Sequence, residues 1–197
     1  MRTPSPPLLP IFRSEGQGRL LARIYLAPDR PVPLAGLARE LDLDRGGVAR
    51  EADRLETAGF VASLRIGHQR ILVPNRDSPY FTHLYGLLLV AFGPALLVGP
   101  ALGEVAGIDE AYLFGSWAAR YLGEPGTDPA DVDVLVVGRP DRSSTYRVAR
   151  DLTEQIGREV NITILPSERW NEPQEGFVRE VKQGPLVRLH LDGDGVR

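Results

Sequence analysis

Two stretches of sequence decide the fold of the C-terminal half of this 197-residue chain: Leu113-Phe114-Gly115-Ser116 and Asp131-Val132-Asp133-Val134. The first predicts an apolar strand that turns on a glycine into a helix. The second predicts an apolar strand that carries aspartates two positions apart. Because side chains two apart on a strand project from the same face, both carboxylates are expected on one side of the sheet.

Paired carboxylates at this position favour a divalent cation. Hard cations such as Mg²⁺ or Mn²⁺ prefer oxygen ligands and often share them with a bound phosphate, so we expect Asp131 and Asp133 to be metal ligands. Gly115 allows the backbone to approach a phosphate, and the Ser116 hydroxyl and nearby amides can bind a nucleoside triphosphate. Arg120, one turn further on, is a candidate to offset the same negative charge.

The sequence around this motif predicts an α/β or α+β domain over residues 106–197, for which we expect an α/β mixed sheet with flanking helices. Strands are expected at 111–114, 132–137, 160–165 and 186–191, and helices at 116–122 and 143–156. The whole pattern resembles the nucleotidyltransferase superfamily that includes DNA polymerase beta, and particularly its minimal nucleotidyltransferase members.

This resemblance implies nucleotide binding more securely than catalysis. Catalytic members carry a third acidic residue on a later strand, but Asn161 or Thr163 stands at the corresponding place here. Glu159 shares a strand face with Asn161, so the candidate catalytic set implied by the resemblance is Asp131, Asp133 and Glu159. Whether the chain is a Mg²⁺-dependent enzyme stays open.

The N-terminal third has a different pattern, three short amphipathic helices followed by a hairpin. Helices are expected at 16–26, from Leu34 onward, and after Asp44, which is placed as the N-cap of the third helix. Strands at 60–66 and 70–73 are separated by three residues that include a glycine. This is the layout of a winged helix-turn-helix, an α+β fold.

Arginines mark the third helix and the hairpin as a DNA-binding surface, because guanidinium groups contact guanine edges and phosphates. The expected contacts to double-stranded DNA come from six basic positions: Arg45, Arg50, Arg54, Arg65, His68 and Arg70. Residues 14–75 also resemble the winged-helix domains of ArsR- and MarR-type bacterial regulators, which implies DNA binding and transcription regulation.

Charge and composition agree with a division of the chain. The net charge is −3, yet residues 1–76 hold 12 basic and 8 acidic residues, whereas residues 77–197 hold 11 and 18. Only the first part therefore has the charge expected of a surface that meets an anionic polymer. Cysteine is absent, which excludes disulfides, thiolate metal sites and cysteine nucleophiles and leads us to expect a cytoplasmic protein.

Residues 78–103 carry no acidic residue, lysine or arginine. Because Gly-Pro pairs interrupt this run, it predicts two short buried helices, and a possible dimer element, rather than a membrane span. The expected organisation is an N-terminal arm (1–13), a winged helix-turn-helix (14–76), an apolar helical linker (77–105) and a nucleotidyltransferase-like domain (106–197). We expect a homodimer.

Three functions are compatible with these observations. The first is a DNA-binding transcriptional regulator whose second domain binds a metal–nucleotide complex. The second is an active nucleotidyltransferase that moves a nucleoside monophosphate to a protein or small-molecule hydroxyl. The third is an antitoxin-like protein that neutralises a toxin partner, suggested by the resemblance to minimal nucleotidyltransferases.

Overall fold

A computed structural model describes residues 12–28, 30–171 and 176–191. It is a mixed α/β structure with a two-stranded antiparallel sheet and a four-stranded mixed sheet. The chain divides into two compact units, an N-terminal unit of residues 1–93 and a C-terminal unit of residues 94–197. Residues 1–11 of the expected N-terminal arm lie outside the described residues.

The N-terminal unit contains three helices, a hairpin and a fourth helix. The elements are α1 (Glu15–Leu26), α2 (Leu34–Glu40), α3 (Arg45–Thr57), β1 (Val61–Ile66), β2 (Gln69–Pro74) and α4 (Phe81–Phe92). The expected N-cap of α3 is confirmed, since the Asp44 carboxylate accepts a hydrogen bond from the Gly47 amide at 2.6 Å. Val48, Ala52 and Leu55 form the buried face of α3, as their spacing predicts.

The hairpin differs from the sequence prediction by single residues at its strand ends. Its strands are joined by two residues, Gly67 and His68, rather than three, because β2 already begins at Gln69 opposite Ile66. Gly67 has φ +59°, a left-handed conformation that two-residue hairpin turns need in order to match the strand twist.

The C-terminal unit is built around the four-stranded sheet. Its elements are α5 (Ala95–Gly103), β3 (Ile108–Phe114), α6 (Gly115–Tyr121), β4 (Val132–Gly138), α7 (Arg142–Ile156), β5 (Val160–Leu165), α8 (Ser167–Asn171), α9 (Gly176–Gln183) and β6 (Leu186–Arg188). The strand order is β5-β4-β3-β6, with β4 and β5 parallel and the other pairs antiparallel. Strand β3 begins three residues earlier than predicted, β6 ends three residues earlier, and α8 and α9 were not predicted.

The apolar run forms two helices, as the sequence predicts. Helix α4 ends at Phe92 with Gly93 as its C-cap, and α5 begins at Ala95 after Pro94. By length and composition alone, residues 81–103 meet the criteria for one membrane-spanning segment, with a mean hydropathy of 1.9. Half of that window is buried inside the protein, and a buried core helix meets the same criteria.

Alternation along β4 places the predicted aspartate on a defined face of the sheet. The even-numbered positions Val132, Val134 and Val136 are fully buried on one face. Asp133 lies on the other face, which it shares with Leu135 and Val137. Further along β4, Leu135 and Val137 on this face pack against α8 and α9 in an apolar cluster. Asp133 therefore lies at the edge of that cluster.

Candidate functional site

The turn from β3 into α6 brings backbone directly against a carboxylate. Gly115 has φ +67°, and a Cβ built on it would lie 2.8 Å from Asp133 Oδ2. Only glycine combines this left-handed backbone with so close an approach. The Gly-Ser turn and the aspartate strand, separated by fifteen residues in sequence, are therefore parts of one site.

Asn161 completes this site from the neighbouring parallel strand. The register of β4 and β5 pairs Asp133 with Asn161, and Asn161 Nδ2 donates a hydrogen bond to Asp131 Oδ2 at 2.8 Å. Asp131 immediately precedes β4 and is partly buried, as is Asp133. We call the group formed by Gly115, Asp131, Asp133 and Asn161 the carboxylate site.

Electrostatics in the carboxylate site disfavour two negative charges. Burial raises the pKa of Asp133 above its usual value of 3.8, and repulsion by the Asp131 carboxylate raises it further. A hydrogen bond from Asn161 acts in the opposite direction but is the smallest of the three effects. The protein thus keeps a carboxylate where its charged form is disfavoured, which is a common property of functional sites.

The other predicted residues of this site differ from one another in their exposure and contacts. Ser116 is exposed beside Gly115, where its hydroxyl is accessible. The Arg120 guanidinium packs against Gly126 in the loop that follows α6, and its Nε is buried without a hydrogen-bond partner among the described residues. Glu159 is exposed, and its carbonyl accepts a hydrogen bond from the Val132 amide.

Within the described ranges, no three His, Cys, Asp or Glu side chains are grouped as metal ligands. Glu159 therefore does not join Asp131 and Asp133 as a third acidic ligand. Two carboxylates still suit Mg²⁺ or Mn²⁺, because such ions commonly bind one or two carboxylates and take their remaining ligands from water and phosphates. The raised pKa of Asp133 agrees with a site that lacks compensating positive charge.

Sequence reasoning missed a buried pair behind the Gly-Ser turn. Trp117 and Arg158 are 2% and 4% exposed, and the guanidinium carbon lies 6.0 Å from the indole centroid. The Trp117 Nε1 is buried with no hydrogen-bond partner among the described residues. An arginine two residues before a strand gives no pattern that predicts burial, so only the structure could identify this contact.

All three predicted DNA-binding arginines of α3 are exposed. Arg50 and Arg54 lie opposite the buried side of the helix, whereas Arg45 begins the helix three residues before the buried Val48. We call Arg50 and Arg54 the arginine face. Their acidic neighbours bind them weakly: Arg50 Nη2 lies 3.8 Å from Asp44, and the two side chains are 69% and 78% exposed.

Two of the predicted DNA-binding residues of the hairpin are exposed, and the third is held in ion pairs. Arg65 and His68 are exposed, in agreement with a role in binding. Arg70 is instead held inside the unit, because its guanidinium contacts Asp53 and Glu56, each at 2.6 Å. Arg70 Nε also donates to the Ser63 hydroxyl at 2.8 Å, so this side chain ties the hairpin to α3 and is not available in the way the sequence suggested.

Comparison with known proteins identified no relative of this chain. No protein-family model, curated protein or solved structure matches the chain.

Proposed function

We propose that this protein is a DNA-binding transcriptional regulator whose C-terminal unit binds a metal–nucleotide complex. The observation that carries the proposal is the arginine face, two exposed arginines on a helix whose other side is buried against the unit. A helix of this kind, preceded by a short helix and followed by an antiparallel hairpin, suits insertion into the major groove.

The DNA-binding part of the proposal uses the loose ion pairs of the arginine face. The guanidinium groups of Arg50 and Arg54 are exposed and lie 3.8 and 3.6 Å from their carboxylate partners. Such long ion pairs hold them loosely, so they can exchange Asp44 and Glu51 for phosphates or guanine edges. Arg65 and His68 at the hairpin extend the basic surface. Arg70 acts within the proposal as a structural residue that holds the hairpin on α3.

A salt titration with a random-sequence 20-base-pair duplex tests this part. The double variant Arg50→Ala with Arg54→Ala should lower the slope of log affinity against log salt by about 2, because each lost phosphate contact removes about 0.9. Arg147→Ala, which removes an exposed arginine from α7, is the control and should leave the slope unchanged. An unchanged slope in the double variant would exclude the arginine face as the DNA-binding surface.

The nucleotide-binding part uses the carboxylate site. Asp131 and Asp133 would hold Mg²⁺ or Mn²⁺, and the ion would supply the positive charge that lets a triphosphate approach two carboxylates. Gly115 brings the backbone of the turn against the Asp133 carboxylate, and the exposed Ser116 hydroxyl beside it is available to donate to a phosphate held by the ion. Asn161 orients Asp131 through its amide.

Equilibrium binding of a fluorescent ATP analogue in Mn²⁺ tests the second part. Replacement of both aspartates by asparagine should abolish Mn²⁺-dependent binding, whereas Asp151→Asn on the exposed side of α7 should not. If the regulator hypothesis holds, saturating Mn²⁺–ATP changes the affinity of the full chain for duplex DNA. Equal DNA affinity with and without the nucleotide would leave two independent binding activities and contradict the regulatory link.

Nucleotidyl transfer is the second candidate function, favoured by the paired carboxylates beside the Gly-Ser turn. We rank it below binding because Asn161 carries no charge and the described residues offer no third acid at the site. Incubation with radiolabelled ATP and hydroxyl-bearing acceptors tests it. Label transfer that survives loss of both Asp131 and Asp133 would exclude this site as its origin.

A further inference from the structure

The tip of the β1–β2 hairpin exposes two large aliphatic side chains. Leu64 is 51% exposed and Ile66 is 62% exposed, and because they are two residues apart on β1 they lie on the same face of the strand. Ile66 pairs with Gln69 directly before the Gly67-His68 turn, so it lies at the far end of the hairpin. Single exposed aliphatic residues are ordinary, whereas two that adjoin at a hairpin tip form a small apolar surface that a partner can bury.

The charge around this tip indicates an anionic partner. Residues 58–76, which include the whole hairpin, contain three arginines and one histidine but no aspartate or glutamate. Arg65 stands between Leu64 and Ile66 and lies on the opposite face of β1, and both Arg65 and His68 are exposed. An apolar tip between cationic side chains is complementary to a groove of duplex DNA, which has phosphates along its edges and stacked bases inside.

The hairpin is fixed on the helix that carries the arginine face. Glu56 Oε1 accepts a hydrogen bond from the Ser63 amide at 3.1 Å, and Arg70, nearer to the hairpin tip, reaches Asp53, three residues nearer to the start of α3. The hairpin therefore runs back alongside α3, toward the half of the helix that holds Arg50. Because these hydrogen bonds join the two elements, a duplex that meets the arginine face also meets the tip.

We propose that Ile66 and Leu64 insert between base pairs of duplex DNA from the minor groove and bend the duplex there. The inference rests on the proposed function, which assigns to the hairpin only the basic contacts of Arg65 and His68. Aliphatic side chains that enter a base step unstack it and kink the duplex by about 20–90°. Arg65 and His68 then contact the phosphates beside the opened step.

An aliphatic wedge should prefer DNA that unstacks easily. TA steps are flexible, whereas A-tracts are stiff and have a narrow minor groove that attracts arginine. Two 20-base-pair duplexes made only of A·T pairs, one with alternating TA steps and one an A-tract, therefore separate a wedge from a hairpin that binds through Arg65 alone. The unaltered chain should bind the alternating duplex about threefold or more tightly than the A-tract.

Ile66→Ala removes the end of the wedge without removing charge. It should abolish the preference for the alternating duplex and leave the slope of log affinity against log salt unchanged. Leu122→Ala is the matched control, because Leu122 is an aliphatic residue of the C-terminal unit that is 58% exposed, and it should keep the preference. Ile66→Leu, which retains an aliphatic wedge, should keep it too.

Three results of this comparison overturn the proposal. The first is a preference that survives in Ile66→Ala, and the second is tighter binding of the unaltered chain to the A-tract. The third is a lower salt slope in Ile66→Ala, because it would trace the effect to lost phosphate contacts.

The fluorescence of 2-aminopurine placed at the central TA steps measures unstacking directly. It should rise about twofold or more when the unaltered chain saturates the alternating duplex, and should not rise with Ile66→Ala. If the chain binds neither duplex, the proposed function fails and the wedge fails with it, whereas binding without a rise in fluorescence overturns the wedge alone. Binding to phosphatidylglycerol vesicles that Ile66→Ala weakens, with no effect of the variant on DNA, would assign the tip to a lipid surface and also overturn the proposal.

Discussion

Two carboxylates, one in each unit, have pKa values shifted in opposite directions. Hydrogen bonds from Ser63 and contacts with the Arg70 guanidinium lower the pKa of Glu56. Burial and the neighbouring Asp131 raise the pKa of Asp133. Glu56 is therefore stabilised as an anion by the folded structure, whereas Asp133 is kept beside a like charge with only an amide donor to compensate.

This contrast separates a carboxylate that stabilises the fold from one for which we propose a binding role. The charge of Glu56 helps to hold the hairpin on α3, so folding alone accounts for it. The charge of Asp133 opposes folding, and a residue that costs stability calls for a benefit from something that binds. Gly115 likewise adopts a left-handed backbone conformation, which brings the chain against Asp133.

The largest expected effect comes from Gly115→Ala, which forces a Cβ to within 2.8 Å of Asp133 Oδ2. Gly123→Ala is the matched control, because Gly123 also has positive φ, +80°, but nothing lies within 4 Å of its Cβ position. The control should cost about 1 kcal/mol of unfolding free energy from backbone strain, and Gly115→Ala about 2–3 kcal/mol.

Tryptophan fluorescence during urea unfolding measures this difference in the relevant unit, since both tryptophans, Trp117 and Trp170, belong to residues 94–197. Equal losses in the two variants would mean that the contact with Asp133 adds nothing to the strain of a left-handed residue, and the carboxylate site would lose its central contact.

Arg70→Met tests the structural carboxylate, Glu56, by removing its cationic partner. The change removes three hydrogen bonds, to Asp53, Glu56 and Ser63, from a side chain that is only 25% exposed. We expect a loss of about 1–2 kcal/mol in the N-terminal unit. Arg65→Met, at an exposed position of the same hairpin, should cost less than about 0.5 kcal/mol.

Hydrogen exchange of the β2 and α3 amides reports this loss without interference from the C-terminal unit. If Arg65→Met speeds exchange as much as Arg70→Met does, the ion pairs of Arg70 do not hold the hairpin.

The secondary structure could be predicted well where the hydrophobic period agrees with the capping and turn residues at the ends of an element. Asp44 and the Gly93-Pro94 pair mark helix ends by local chemistry, and each end lies where the sequence places it. Helix α8 was missed because five residues are too few for a helical period to be recognised. Helix α9 was missed although its buried Val178 and Val181 are three residues apart, which is a helical spacing.

The candidate site was predictable in composition but not in contacts. Two aspartates on one strand and a Gly-Ser turn can be read from the sequence, because strand alternation is a local rule. That Asn161 donates to Asp131 depends on the register between β4 and β5, which no local pattern specifies. The engagement of Arg70 is likewise a long-range property, since its partners lie 14 and 17 residues away.

Asn161→Asp converts the carboxylate site into one with three acids. A third carboxylate in place of the amide should raise Mn²⁺ affinity about tenfold, because affinity for hard cations increases with the number of charged oxygen ligands. Asn161→Ala removes the amide without adding charge and should not raise the affinity. Mn²⁺ binding followed by electron paramagnetic resonance measures both, and a gain in Asn161→Ala alone would show that the amide blocks the ion.

Replacing each of the two carboxylates with its amide compares them directly and should change stability least. In metal-free protein near neutral pH, Asp133→Asn should stabilise the C-terminal unit and Glu56→Gln should destabilise the N-terminal unit. Each change should be below about 1 kcal/mol, because solvent screens groups that remain partly exposed. Unfolding of the C-terminal unit by tryptophan fluorescence and hydrogen exchange in the N-terminal unit give the two signs.

The pH dependence of these two changes follows from the direction of each pKa shift. Folded protein holds the Asp133 proton more tightly than unfolded protein does, so stability falls as pH rises from about 3.8 through the raised folded value. The gain from Asp133→Asn therefore appears above that window and vanishes below it. Glu56 behaves in the opposite way: its contribution is present above about pH 4.5 and is lost as pH falls through its lowered folded value. Gains or losses of the same sign in both variants would contradict the contrast, because they would place the two carboxylates in equivalent electrostatic environments.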